Sequence, residues 1–204
     1  MNSAKKTNRQ LVVFGKQTAE EIVSAAKLNE DSQFDKILLV EFHDQIEKDD
    51  AFLSVLHSGI STHYIVGIAD RALKQKACQF AESTQMIPHS VVHPTAFVDP
   101  SATIGDGVFI GPQSVVSVRA SIGNHSIVHI HSSIGHHARL GQNNAILPGA
   151  RISGNVKTGD QVMIGSNAFV FQGVSIGEKA TVDALTYVRH DVPDKKVVSC
   201  RVSF

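Results

Sequence analysis

Five of the chain's eleven histidines crowd into one window, at His125, His129, His131, His136 and His137. Imidazole changes charge near neutral pH and is a common metal ligand, so such a cluster can move protons or hold a metal ion. It can also be a solvated turn-rich edge with no chemistry at all. A third pattern is more specific. His136, in Gly135-His136-His137-Ala138-Arg139-Leu140-Gly141, stands 18 residues before Gly154, in the run SGNVKTG. A histidine beside a glycine whose N–H no side chain shields is a workable acyl-transfer pair. The imidazole takes the proton of an attacking amine or hydroxyl, and the amide polarises the carbonyl under attack.

Whether residues 18 apart meet depends on the elements that carry them. From Val92 the chain reads in sixes (VHPTAF, VDPSAT, IGDGVF, IGPQSV and onward) through Val188, sixteen hexads without an insertion. Fifteen of the sixteen first positions are Val, Ile or Leu, the exception being Thr158. Nearly all fifth positions are small or β-branched, with Asn144 among them. Neither a helix nor an ordinary strand has a strict period of six. A short strand followed by a turn does, with one bulky and one small residue turned inward per flat face. Three such faces close a triangular coil of 18 residues, and the coils stack at the strand spacing of roughly 4.8 Å. His136 and Gly154, both third residues of their hexads, then share one edge on successive rungs. Ser166 and Ala184 stack in the same way on a second edge.

Residues before the hexads follow another pattern. Residues 10–15 read as a buried strand ending in Gly15, residues 17–28 as a helix with a Thr18/Glu21 capping box, and residues 36–42 and 64–69 as further strands. Residues 71–83 read as a second helix. Strand, helix, strand, strand, helix implies a small Rossmann-like α/β domain with a parallel sheet. The expected organisation is therefore α/β plus all-β: an α/β domain over 9–86, a solenoid over 87–188 and a C-terminal tail over 189–204. The first eight residues are expected to be frayed, and the α/β domain and tail to cap the solenoid's open edges.

Composition narrows the function further. Lys+Arg and Asp+Glu are nineteen each, so the formal charge is zero and there is no basic excess to neutralise nucleic acid. No apolar run approaches the roughly 18 residues of a membrane span. The start MNSAKKTNRQ lacks the apolar segment of a signal peptide before Lys16 and Gln17 intervene. A cytoplasmic protein with no membrane partner is expected. Cys78 and Cys200 form neither a disulfide framework nor a zinc motif, and both read as free thiols.

The chain from LVVFG through HPTAFVDPSATIG to YVRHDVPDKKVV resembles bacterial sugar acetyltransferases of the sialic-acid O-acetyltransferase type. That group includes enzymes that N-acetylate nucleotide-linked 4-amino-4,6-dideoxy sugars. The resemblance implies a left-handed β-helix, a homotrimer, and acetyl-CoA bound between neighbouring subunits. It implies a nucleotide-sugar held by the α/β domain, and a role in O-antigen or lipopolysaccharide biosynthesis. His136 matches the family's catalytic base. Gly154 matches the glycine whose amide faces the thioester, and Ser166 and Ala184 fall where relatives line the coenzyme groove. Gly15, Lys16, Gln17 and Thr18 stand at the family's glycine-rich loop, of which only the first glycine remains. Glu41 or Asp44 corresponds to the acidic residue ending the second strand, and Asp70 follows the third.

The departures are as specific. The acidic residue that follows the base in relatives is His137 here, an upstream Asn falls at His129, and a histidine of the next coil becomes Ala145. His129, His137 and Asn144 are second candidates for substrate contact, although Asn144 at an inward position can simply fill the prism. The tail SCRVSF lacks the G-x-P-A ending of relatives. The γ-class carbonic anhydrases share the solenoid, and His131 and His136 have their spacing of five. The third ligand is missing, because Thr95 occupies its register and His93 is out of step. No metal is expected. The implied reaction is N-acetylation of a dTDP- or UDP-linked amino sugar, with sugar O-acetylation or a non-catalytic homologue as alternatives.

Overall fold

The computed structural model describes residues 8–29, 34–43 and 45–200. It divides between His89 and Ser90 into two compact units.

In the first unit, the central strand β1 (Arg9–Gly15) carries an uninterrupted apolar run, Leu11 to Phe14, that is wholly buried. Such a run needs cover on both faces, which a parallel sheet provides. With β2 (Lys36–Val40), β3 (Ser61–Gly67) and β4 (Ile87–Pro88), it forms a parallel sheet of order β2-β1-β3-β4. Helix α1 (Gln17–Leu28) buries Ala19, Ile22, Ala25 and Ala26, the spacing of one helical face. Between β2 and β3 lies α2 (Asp50–Leu56), and α3 (Arg71–Ser83) precedes β4. Phe14, Phe42, Phe52 and Phe80 pack with ring centroids 5.8–5.9 Å apart. A fully buried ring of this kind contributes roughly 1.5–3 kcal/mol. Cys78 sits in the same core, and burial pushes its thiol up to about 11, which makes it inert.

Three sequence expectations change here. The helix start lies at Gln17 with Lys16 as N-cap and no side-chain cap, so Thr18 stands inside the first turn and the Thr18/Glu21 capping box does not form. The linker between the second and third strands contains α2, whose two turns are too short to show a period. Ile87-Pro88, counted with the solenoid in the expected 87–188 span, is the last strand of the α/β sheet. The first eight residues, expected to fray, lie outside the described residues apart from Asn8, and so does Asp44.

The second unit is a parallel coil of two-residue strands, one per hexad, in three sheets of five, seven and six strands. Register is 18 residues from Val91 to Val188, as in Ser121 with Arg139 and Ser133 with Arg151. Three-sided coils of this kind make a left-handed parallel β-helix. First and fifth hexad positions fill its interior, from Ile110 and Ser114 to Val182 and Thr186. The fourth position turns the chain in the left-handed region at residue after residue: Gln113, Arg119, His125, His131, His137, Asn143, Asn155 and beyond, with φ of 53–60°. Asn and His tolerate this conformation better than most side chains.

The one polar first position is explained by its neighbour. Asn144, fully buried, donates from Nδ2 to Thr158 Oγ1 at 2.5 Å and accepts from the Val162 N–H at 2.6 Å. Its own N–H donates to Ser126 Oγ at 3.1 Å. The solenoid also runs past Val188: Val192 bridges to Ile176, and Val197–Val198 pairs with Thr181–Val182. The step in this last coil is 16 residues, so a count in sixes loses it. The segment read as a tail is, through Val198, a further coil.

Candidate active site

On one solenoid edge the third hexad positions run His136 then Gly154, and the Asn155 N–H donates to the His136 carbonyl at 2.9 Å. The imidazole lies against Gly154. A Cβ on that glycine would meet His136 Nε2, and would lie 2.5 Å from Cε1 and 2.9 Å from Cδ2. Only glycine leaves room for the ring. Gly154 is buried, and its N–H finds no acceptor among the described residues. Buried amides are almost always paired, so this donor is available to a bound acceptor. His136 Nε2 also makes no hydrogen bond to a described residue, whereas Nδ1 lies 3.2 Å from His137 Nδ1. The two rings stand nearly perpendicular, at 83°.

The next turn on this edge was not singled out in the sequence. The Gly173 N–H donates to the Gly154 carbonyl at 3.0 Å, which stacks Phe171 and Gln172 directly beyond Ser153 and Gly154. Phe171 is half exposed and packs with Phe169 around Tyr187. An aromatic at a second hexad position, where glycine is common, is the signal that could have found it.

Other candidates fall elsewhere. Ser166 and Ala184 stack on a different edge, where the Leu185 N–H donates to the Ser166 carbonyl at 2.9 Å. His129 belongs to that edge as well, in the turn that leads into the stacked series Ile130, Pro148 and Ser166. Asn144 points inward with its side-chain amide engaged, filling the prism. His131 occupies a turn on the His129 edge, away from His136. Among the described residues no three His, Cys, Asp or Glu side chains are placed to hold a metal ion.

In the α/β unit, a cavity of about 300 Å³ opens at the carboxyl ends of β1, β2 and β3. Gly15, Lys16, Gln17, Thr18 and Glu41 line it, with Phe42, Gly67 and Leu73. This is the switch point where an open α/β sheet reverses its strand order, the usual place for a ligand. Gly15 ends β1 at φ +134°, a Cβ there would strike the Gly67 carbonyl, and one on Gly67 would sit 2.8 Å from the Ala19 nitrogen. The two glycines thus let α1 begin hard against the strand ends. Lys16 Nζ pairs with Glu41 Oε1 at 2.5 Å, both side chains largely exposed. Asp70 is not among the residues lining the cavity; its Oδ1 caps α3 by accepting from the Leu73 N–H at 2.7 Å.

Residues 155–189 match a family model described as the hexapeptide repeat of succinyl-transferase. Over 41 residues, 20% of this chain, the sequence is 54% identical to YvoF of Bacillus subtilis, which bears the name of an acetyltransferase. That match spans 24% of YvoF. The acetyltransferase domain of PglB from Neisseria gonorrhoeae, solved with acetyl coenzyme A, superposes with a TM-score of 0.84 at 24% identity, covering 94% of this chain and 96% of that one. The chain shares the fold of that domain. WeeI from Acinetobacter baumannii shares it with a TM-score of 0.80 at 18% identity, covering 94% and 96%. So does a variant of GDP-perosamine N-acetyl transferase from Caulobacter crescentus in complex with CoA and GDP-perosamine, with a TM-score of 0.76 at 23% identity over 93% of each chain. Within this hexapeptide-repeat fold, no described helix is long and apolar enough to cross a membrane.

Proposed function

We propose that this chain is an acetyl-CoA-dependent N-acetyltransferase acting on a nucleotide-linked 4-amino-4,6-dideoxy sugar. It works as a cytoplasmic homotrimer in surface-polysaccharide (O-antigen or lipopolysaccharide) biosynthesis. The observation that carries the reading is the His136 imidazole seated on Gly154, with Nε2 and the glycine N–H both uncommitted. Acetyl-CoA supplies an activated acetyl thioester. His136 Nε2 takes the proton from the sugar amine as the C–N bond forms, and the Gly154 N–H donates to the carbonyl oxygen as it gains charge. His136 then returns the proton to the departing CoA sulfur as the C–S bond breaks. A positioned base is worth about 10²–10⁴-fold and an oxyanion donor about 10²–10³-fold. Phe171, beyond Gly154, offers an apolar surface to the pantetheine arm.

Ser166 and Ala184 sit on another edge from His136, which supports a coenzyme groove completed by a neighbouring subunit. In the α/β cavity, Lys16 and the first turn of α1 suit a diphosphate, and Glu41 a sugar hydroxyl. The C. crescentus structure, named for GDP-perosamine, adds GDP to the nucleotides worth testing beside dTDP and UDP. The test is thiol release from acetyl-CoA against a panel of such amino sugars, wild type beside His136→Ala. Turnover on one member, reduced roughly 10²-fold or more in the variant, is the expected result. Turnover only on hydroxyl acceptors would make the chain a sugar O-acetyltransferase. Acetyl-CoA binding without turnover on either panel would make it a non-catalytic homologue, and equal activity in both proteins would remove His136 from the mechanism.

A further inference from the structure

A base that must act through Nε2 has to keep its proton on Nδ1, and a free imidazole has no reason to. Something has to accept the Nδ1 proton. A carboxylate does this in many sites. Here the residue beside the base is His137, and no acidic side chain is hydrogen-bonded to His136 among the described residues. The geometry supplies a substitute. His137 lies at the fourth hexad position, in the left-handed turn with φ of +58°, and its ring stands beside that of the preceding residue. Its Nδ1 comes to 3.2 Å from His136 Nδ1, with the rings at 83°. Between two nitrogens at that distance only one proton fits, so one ring donates and the other accepts.

We propose that His137 is the positioning residue for His136, its Nδ1 accepting the His136 Nδ1 proton so that the Nε2 lone pair is held over Gly154. His137 then carries its own proton on Nε2. The pair is a neutral counterpart of a histidine–carboxylate dyad, with one imidazole fixing the tautomer and rotation of the other. The role rests on the reading of His136 as the base. It replaces the substrate contact expected of His137, because the nitrogen nearest His136 is already engaged. Histidine also fills this turn position at His125 and His131, so what sets His137 apart is that its ring nitrogen meets a second imidazole.

Three variants separate the acceptor from the turn. His137→Gly keeps the left-handed backbone and removes the acceptor. His137→Asn keeps both, because asparagine tolerates positive φ and offers a carbonyl oxygen. His137→Ala loses both. In the whole protein labelled with ¹⁵N-histidine, long-range ¹H–¹⁵N spectra, assigned with His136→Ala and His137→Ala, should show His136 protonated on Nδ1. In His137→Gly the proton should move to Nε2. In the acetyl-transfer assay, kcat should fall about 10–100-fold in His137→Gly, the usual cost of losing a supporting partner. KM for both substrates should stay within about twofold, and His137→Asn should recover most of the rate. The idea fails if His136 carries its proton on Nε2 in the wild type, or if the Gly and Asn variants behave alike. It fails equally if KM rises while kcat holds, which would make His137 a substrate contact. The spectra need no turnover, so they decide the role of His137 even if the wild type acetylates no sugar, an outcome that would count against the proposed function alone.

Discussion

Replacing Gly154 by alanine probes the proposed site with the smallest possible change. The N–H stays, and the backbone of Gly154 is outside the left-handed region, so alanine can adopt it. The new methyl has no room. It would lie 2.5 Å from His136 Cε1 and 2.9 Å from Cδ2, where ordinary contact starts at about 3.4 Å. The imidazole must therefore withdraw by roughly 1 Å, and a displacement of that size costs about 10²-fold in a positioned reaction. Stability should hold or rise by up to about 1 kcal/mol, because alanine restricts the unfolded chain. Released thiol, followed under saturating substrates, gives kcat, and thermal unfolding checks the fold. The decisive comparison is the same substitution in a His136→Ala background. There the methyl meets no ring, and the further loss should be under about twofold, since two changes acting through one contact are not additive. Full kcat in Gly154→Ala would refute the argument, and so would an equal loss with and without the imidazole.

Other perturbations follow from the same structure. Asn144→Ala strands the Val162 N–H inside the prism and leaves the Thr158 hydroxyl with the Gly141 N–H alone, and should cost about 1–3 kcal/mol in urea unfolding without moving either KM. A raised KM at unchanged stability would restore Asn144 as a substrate contact. Lys16→Ala should raise KM for the nucleotide-sugar about tenfold and leave that for acetyl-CoA alone, with stability changed by less than about 1 kcal/mol because the Lys16–Glu41 pair is exposed. An unchanged KM would remove Lys16 from the binding surface. At the other end of the α/β sheet, burial, then the Arg9 and His89 charges, hold His63 down at about 4. The unfolded chain, titrating near 6.5, takes up that proton first. Stability is whole above about pH 6.5 and falls as pH drops toward 4, by up to about 3 kcal/mol. His63→Gln should flatten the pH dependence of urea unfolding, and parallel losses in both proteins would show that another group is responsible.

What the sequence makes legible here depends on repetition. Two inward positions recur in every hexad, so the prism can be read from residues that are individually unremarkable, and the 18-residue register brings distant positions to one edge. Features that occur once are harder to read. Helix α2 has too few turns to show a period, and the closing coil abandons the count of six for a step of 16 residues. Handedness is not contained in a period at all, and enters only through resemblance. The histidine cluster shows the same limit inside the site. His125, His131 and His137 all occupy the left-handed turn position, where histidine serves the backbone, whereas His136 occupies the position before it. Residue type alone does not separate them; hexad position does. Even that leaves His137 ambiguous, because the approach of its ring to His136 is a matter of side-chain orientation that a string of letters does not display.

Thr158 marks where pattern and chemistry part. As the lone non-aliphatic first position it reads as a lapse in an otherwise regular repeat. It is instead the partner of the lone asparagine at a fifth position, 14 residues upstream, across the interior of the prism. The 18-residue register does not pair them, because their hydrogen bond crosses between faces rather than climbing one edge. A polar residue in such a core costs free energy unless its groups are satisfied, so one exception in a repeat calls for a second. Asn144 and Thr158 are therefore better read together as a single structural unit than apart as a substrate contact and an irregularity. The same reasoning applies on the edge outside. His136 cannot be placed without the missing side chain of Gly154, and in each case the informative feature is a pair of exceptions, neither of which has a meaning alone.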